Sequence, residues 1–402
     1  MKKLPLILAV IITCCWACKN NEVPEGYIEY QDSYYRNPVP VQYDSNGDGN
    51  IDASDAYIEV LGNNLLVSET PQGGSLYKGE NNEAGGVANG ERFCYQNADR
   101  NCDKYGALYS METALNGSWE TLKQASSAQL NDKNLNGVWD YLDEIAVPNS
   151  QYINALSASI ASQAAKEFVT LLTEATQIAP APVVQSLMSA QIYDVIVDVL
   201  QKVLAANTTY IDVTNIQEEI DMAIEAIIID AAIEHEWETN SQLDAIATSV
   251  AKNASNALSQ KISEDALKQI QSETIATANS VQGLCPNGYH IPSDADWMLF
   301  EMALGMTATD AMKSGIEVVN RGAAAKVVEK MVDTHGFVYG GYITENGNFT
   351  QLDGAGVFVS STVGSDEQGN YMWVRQIDKS YTGVVRYKHY APSGLSIRCF
   401  KN

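Results

Sequence analysis

The chain is short of positive charge: its 402 residues hold 25 Lys and Arg against 50 Asp and Glu, a formal net charge of −25. That balance argues against nucleic acid or an anionic lipid surface as a partner, because either would repel the folded chain. It suits a soluble surface protein, and it suits cation binding. Histidine is scarcer still, with four in the chain, and none stands in a catalytic setting. His290 has no Ser or Cys nucleophile with an orienting carboxylate at recognisable spacing, so it reads as a packed, hydrogen-bonded residue. His235 lies in Ile233-Glu234-His235-Glu236-Trp237 without the second His, four residues away, that a zinc helix needs. It reads as part of a solvated helix face. Carboxylates are abundant, yet no pair stands out as a glycosidase couple. Beyond residue 18, no segment reads as apolar and long enough to be a membrane helix.

What is present begins at the N-terminus. Lys2 and Lys3 form a short basic region, Leu4 to Ile12 is almost wholly apolar, and Ala17-Cys18 sets a small residue directly before a cysteine. The pattern is that of a lipoprotein signal peptide over 1–17 with Cys18 as the lipidated residue, the alternative being ordinary cleavage without lipid. The expected location is the bacterial outer membrane or cell surface, with the membrane engaged through the N-terminal lipid. Residues 18–40 read as a tether. Three of the seven cysteines lie in the signal region. The other four, Cys94, Cys102, Cys285 and Cys399, are an even number in an oxidising compartment, so disulfides are the default reading, with three pairings open.

Composition divides the rest. From 41 to 117, Gly, Asn and aromatics suggest short strands and long loops. Residues 118–279 are dominated by Ala, Ile, Leu, Ser, Gln and Glu with helical periodicity. In Gln185–Leu204, Leu187, Met188, Ile192, Val195, Ile196, Val199 and Val203 recur at spacings of three and four. Similar stripes run through Ile153–Leu172, Ile216–Ile233 and Leu243–Ile275. Pro180 and Pro182 break the first pair, and Asn207-Thr208-Thr209 breaks the next. The expectation is an antiparallel bundle of about four helices. From 280 onward the β-like composition returns, which leaves either two β-like domains or one domain interrupted by a helical insertion.

The last stretch opens with Gly283-Leu284-Cys285-Pro286-Asn287-Gly288-Tyr289-His290-Ile291-Pro292-Ser293-Asp294-Ala295-Asp296-Trp297. Ser293 or Asp294 can cap the helix that starts there, and Trp297, Phe300 and Leu304 share one face. The chain closes on Gly394-Leu395-Ser396-Ile397-Arg398-Cys399. Between them stand Val359-Ser360-Ser361-Thr362 and Met372-Trp373-Val374-Arg375. Upstream lie Phe93-Cys94-Tyr95-Gln96-Asn97 and Asn101-Cys102-Asp103-Lys104-Tyr105-Gly106-Ala107-Leu108-Tyr109.

Together these blocks resemble the Fibrobacter succinogenes major paralogous domain family. The resemblance implies an α+β chain: a C-type-lectin-like mixed α/β domain, split over 57–117 and 280–402, interrupted by an all-α helical-bundle insertion over 118–279. It also implies the bonds Cys285–Cys399 and Cys94–Cys102.

Two acidic loops follow calcium-binding spacing. Residues 44–55, within a module at 41–56, offer Asp44, Asn46, Asp48, Asn50 through its carbonyl, Asp52 and Asp55, with Gly49 at the sharp turn and Ile51 at the apolar position. Residues 132–143 repeat the pattern with Asp132, Asn134, Asn136, Val138 through its carbonyl, Asp140 and Asp143. Both loops end in Asp, which resembles dockerin-type and other extracellular calcium modules, and Ca2+ is expected in a structural role. The two loops lie far apart and the first lacks an entering helix, which argues against a cohesin partner.

Calcium-dependent lectins of this fold carry Glu-Pro-Asn or Gln-Pro-Asp and then Trp-Asn-Asp, and none of these triplets occurs. The sulfatase-modifying relatives need a redox-active cysteine pair, whereas all four cysteines here have structural assignments. Tyr339, Tyr342, Tyr371, Trp373, Tyr387 and Tyr390 can stack on sugars or pack in the sheet. The expected function is therefore a non-enzymatic, calcium-binding surface lipoprotein that binds a glycan or an extracellular protein. The alternatives are an extracellular enzyme acting on polysaccharide or sulfated substrates, and a structural protein that self-associates through its bundle.

Overall fold

The computed structural model describes residues 23–31, 33–45, 50–67, 91–116, 149–205, 213–237, 241–276, 281–366, 368–390 and 393–402. Cys18 with the signal, Asn46, Asp48 and the whole loop 132–143 lie outside the described residues.

The helical stripes fold as four long helices: α3 (Asn149–Thr176), α4 (Pro182–Ala205), α5 (Val213–Glu234) and α6 (Ser241–Ala276). Two shorter ones, α1 (Asp99–Tyr105) and α2 (Met111–Leu115), precede them. Pro182 opens α4 at the position where a missing N–H leaves no bond unmade. Each long helix packs on the next and α3 also packs on α6, which closes the ring. The core is apolar and regular: Met188, Ile192, Ile196 and Leu200 of α4 and Ile220, Ile224 and Ile228 of α5 are all buried in it. Burying each such side chain contributes about 1.5–3 kcal/mol.

One expectation needs correction here. Pro182–Lys202 is long and apolar enough to cross a membrane by length and composition. Its apolar stripe is spent on the bundle core, a use that length and hydropathy alone do not distinguish.

The remainder is α+β. One sheet takes strands from both sides of the bundle. β5 (Arg92–Phe93) and β6 (Leu108–Tyr109) come before it, and β8 (Gly340–Ile343), β9 (Phe349–Leu352), β10 (Ala355–Asp366), β11 (Gly369–Asp378), β12 (Val385–His389) and β13 (Leu395–Ser396) come after. Leu395 and Ser396 pair with Tyr109 and Leu108, and Ser396 also registers with Phe358. A second sheet runs β3 (Val39–Gln42), β4 (Tyr57–Val60), β14 (Phe400–Lys401) and β7 (Tyr289–His290). In it Phe400 faces Val60 on one side and His290 on the other, so early chain, motif box and C-terminus meet. A separate hairpin, β1 (Tyr27–Tyr30) with β2 (Ser33–Arg36), packs beside them.

Residues 57–117 read as strands and loops, yet they hold α1 and α2. Both helices are short enough to escape a periodicity test, and local caps set their ends. Ser110 accepts from the Thr113 N–H at 3.2 Å, Asn116 closes α2 in the left-handed region, and Gly106 ends α1 at φ 78°.

Three further helices complete the domain: α7 (Asp294–Ala303), α8 (Ala308–Met312) and α9 (Val327–Asp333). Trp297 of α7 is fully buried, donates its indole N–H to the Val359 carbonyl at 3.1 Å and sits among Phe300, Phe337, Phe358 and Phe400. α6 packs on α7 and α8, so bundle and domain share a continuous core.

Candidate functional site

The first acidic loop joins β3 to β4. Its closing residue, Asp55, is only 5% exposed. One carboxylate oxygen accepts from the Ser45 N–H at 2.9 Å and from Ser45 Oγ at 3.1 Å, and the other accepts from the Asp52 N–H at 2.9 Å. Asp52 in turn accepts from the Ser54 N–H at 2.8 Å and Ser54 Oγ at 2.7 Å, which holds its carboxyl below the usual value. The Gln42 amide donates to the Asp52 carbonyl and ties the loop to β3. Asp55 is thus a clasp for the loop's own donors. Among the described residues no three carboxylate, imidazole or thiol groups gather to hold a metal. Ile51, read as filling an apolar position, is 57% exposed.

The motif box builds the start of α7. Ser293 is its N-cap, accepting from the Asp296 N–H, while the Asp296 carboxylate accepts the Ser293 N–H at 2.8 Å. Asp296 also meets His290 Nε2 at 3.3 Å, and His290 Nδ1 meets Asn402 Oδ1 at 2.8 Å. Burial opposes the His290 cation, but Asp296 outweighs it and raises the imidazole above its ordinary value. His290 therefore fixes β7, the helix cap and the C-terminus to one another.

Asp294 does not cap the helix. It turns inward with Glu301, seven residues on along the same face, into a buried charge network. Arg375 donates to Asp294 at 2.7 Å and to Glu301 at 2.8 Å. Arg386 donates to Asp294 at 2.5 and 3.0 Å and to the Met312 carbonyl at 2.9 Å. Arg321 pairs with Glu301 and donates to the Ala311 carbonyl at 2.8 Å. Burial by itself would raise the Asp294 carboxyl, but Arg386 and Arg375 hold it well below the usual carboxylate range. Burial works against the Arg375 cation as well, and Glu301 with Asp294 outweighs it.

Arg398 of the closing motif is also fully buried, over the Phe337 ring at 4.0 Å, and donates to the carbonyls of His335 and Gly336 at 2.5 and 3.1 Å. Burial pushes its guanidinium down to about 9.

Sequence reasoning missed Asp294, Glu301, Arg321 and Arg386 as a set. The available signal was a pair of acids at i and i+7 on the apolar face of Trp297. Arg375 and Arg398 did stand in the quoted motifs. The aromatics divide: Tyr371 and Trp373 are 3% and 2% exposed, with Lys388 over the first ring and Arg386 over the second. These two rings are packing residues, whereas Tyr339, Tyr342, Tyr387 and Tyr390 are partly exposed. Cys94–Cys102 and Cys285–Cys399 are both bonded, the pairing that the resemblance implies.

The fold and site define a disulfide-locked α+β domain whose motif side chains hold one another inside it. The family model of the Fibrobacter succinogenes major domain matches residues 207–401, so this segment is similar to that domain. The match starts within the bundle and ends at the last strand, leaving out the strands β5 and β6 that complete the sheet. No curated protein and no solved structure matches the chain.

Proposed function

We propose that this chain is an exported lipoprotein of the bacterial outer membrane or cell surface that binds a glycan or an extracellular protein without turning it over. Its recognition unit is the α+β domain, taken as C-type-lectin-like, and Ca2+ serves the loops 44–55 and 132–143 as a structural ion. The observation that carries this reading is how the domain uses charge. Asp294, Glu301, Arg375, Arg386 and Arg398 bind internal partners, which makes a rigid scaffold whose surface loops are left for recognition. Asp44, Asn46, Asp48, Asn50, Asp52 and Asp55 would supply the oxygens a hard cation requires. The clasp at Asp55 supports this by presetting the loop.

The test is an array of extracellular glycans probed with the mature chain, with and without EDTA. Saturable binding to a defined glycan class, without release of reducing ends, is expected. Silence on the array together with turnover of a polysaccharide would overturn the reading.

A further inference from the structure

The outer face of α5 carries apolar side chains that are left exposed. Met222, Ala226, Ile229 and Ile233 recur at i, i+4, i+7 and i+11, the spacing of one helical stripe. Met222 and Ile233 are 59% and 63% exposed, Ala226 is exposed and Ile229 is half-buried. The bundle core takes the opposite stripe, Ile216, Ile220, Ile224 and Ile228, so Met222, Ala226 and Ile233 add nothing to it.

Carboxylates border the outer stripe on both sides. At 3.6 residues per turn, Glu218, Asp221 and Glu225 fall along one edge, and Glu219 and Asp230 along the other. From 203 to 251 the chain has no Lys or Arg. Among the described residues Glu219 meets Lys202 at 3.8 Å, and the other carboxylates of the two edges form no ion pair. Among the same residues no donor reaches the buried Oδ1 of Asp221, an acceptor that a folded protein ordinarily satisfies.

These features together select the occupant. A second copy of this face, or an anionic surface, would set carboxylate against carboxylate. An uncharged apolar surface would strip water from the carboxylates and offer them no partner. A bare cation would pair with the edges and leave Met222 and Ile233 in water. A helix with an apolar ridge and Lys or Arg on both flanks matches the stripe, both edges and the unmet oxygen of Asp221.

We propose that the outer face of α5 docks a cationic amphipathic helix of another protein, at a surface separate from the α+β domain. The proposal does not rest on that domain binding anything.

The probe is a fluorescent synthetic peptide of Leu and Lys, about five helical turns long, with its leucines on one face. Titrated with the chain, it should bind saturably and lose affinity as salt rises. A Met222→Ser, Ile233→Ser double variant, which changes only exposed side chains, should bind about ten-fold more weakly with an unchanged melting temperature. Glu218→Gln with Asp230→Asn should weaken binding several-fold and flatten the salt dependence. Glu174→Gln with Asp194→Asn, the same charge change elsewhere on the bundle, should leave binding as in the wild type. The proposal is overturned if the peptide fails to bind, if binding survives the double serine variant, or if a scrambled peptide of the same composition binds equally well. Dimers of the chain, or binding to neutral lipid vesicles, that the serine variant abolishes would overturn it too, since each gives the face to another occupant.

Discussion

The two halves of this molecule are held by different forces. The bundle is a run of Ile, Val, Leu and Ala at helical spacing, and its Lys202–Asp198 ion pair lies on the outside, 62% and 64% exposed at the side chain. Among the described residues the α+β domain buries three carboxylates, Asp55, Asp294 and Glu301, and four guanidinium groups, and Cys285–Cys399 crosslinks segments that lie far apart in the chain. Apolar packing tolerates many sequences of the right pattern. Buried ions fail when one partner is lost. The difference teaches where this chain's specificity is written: the bundle is a pattern, and the domain is a set of particular residues.

The largest break in that contrast should come from the long disulfide. A chain with both Cys285→Ala and Cys399→Ala should lose about 4–5 kcal/mol by denaturant unfolding, since the bond closes 114 residues. Next, Asp294→Ala takes from Arg386 the carboxylate it pairs with and leaves Arg375 with Glu301, and should cost about 3–4 kcal/mol.

Acid should act on the domain before the bundle. Burial pushes His335 and His389 down to about 4, whereas unfolded imidazoles titrate near 6.5. The stability these residues contribute is therefore whole above about pH 6.5 and is lost progressively as pH falls toward 4. The melting temperature should fall over that window, and His335→Gln should flatten the fall. Asp294 acts in a lower window: its contribution is whole above about pH 4 and is lost progressively as the pH falls below that toward its depressed folded value.

In the bundle, Ile196→Val should cost only about 1 kcal/mol. Lys202→Ala should leave the denaturant midpoint unchanged within error, since its partners are exposed.

Legibility followed the same divide. The four helices were readable because a period of 3.6 over twenty or more residues is visible in one dimension, and Pro182 marked a start. The motif box was readable as a helix start, and Ser293 proved to be the cap. The charge network was not readable. Asp294 meets Arg375 and Arg386 from 81 and 92 residues away, and no local pattern encodes a pairing that only the folded sheet creates. Asp294 itself looked like a cap because an acid at a helix start is ordinarily one. The short helices α1 and α2 escaped for the opposite reason, since five to seven residues hold too few turns to show a period. Of the first acidic loop, the spacing was legible, but the clasp at Asp55 depends on Ser45 and Asp52 donors that spacing does not reveal.

The most direct test of the contrast is hydrogen exchange on Asp294→Asn at fixed pH, read peptide by peptide. Exchange should speed up in peptides covering 294–312 and 371–389, while those covering 183–202 keep the protection seen in the wild type. Equal acceleration in both sets would contradict the account, because it would mean that the bundle leans on the buried charges as much as the domain does.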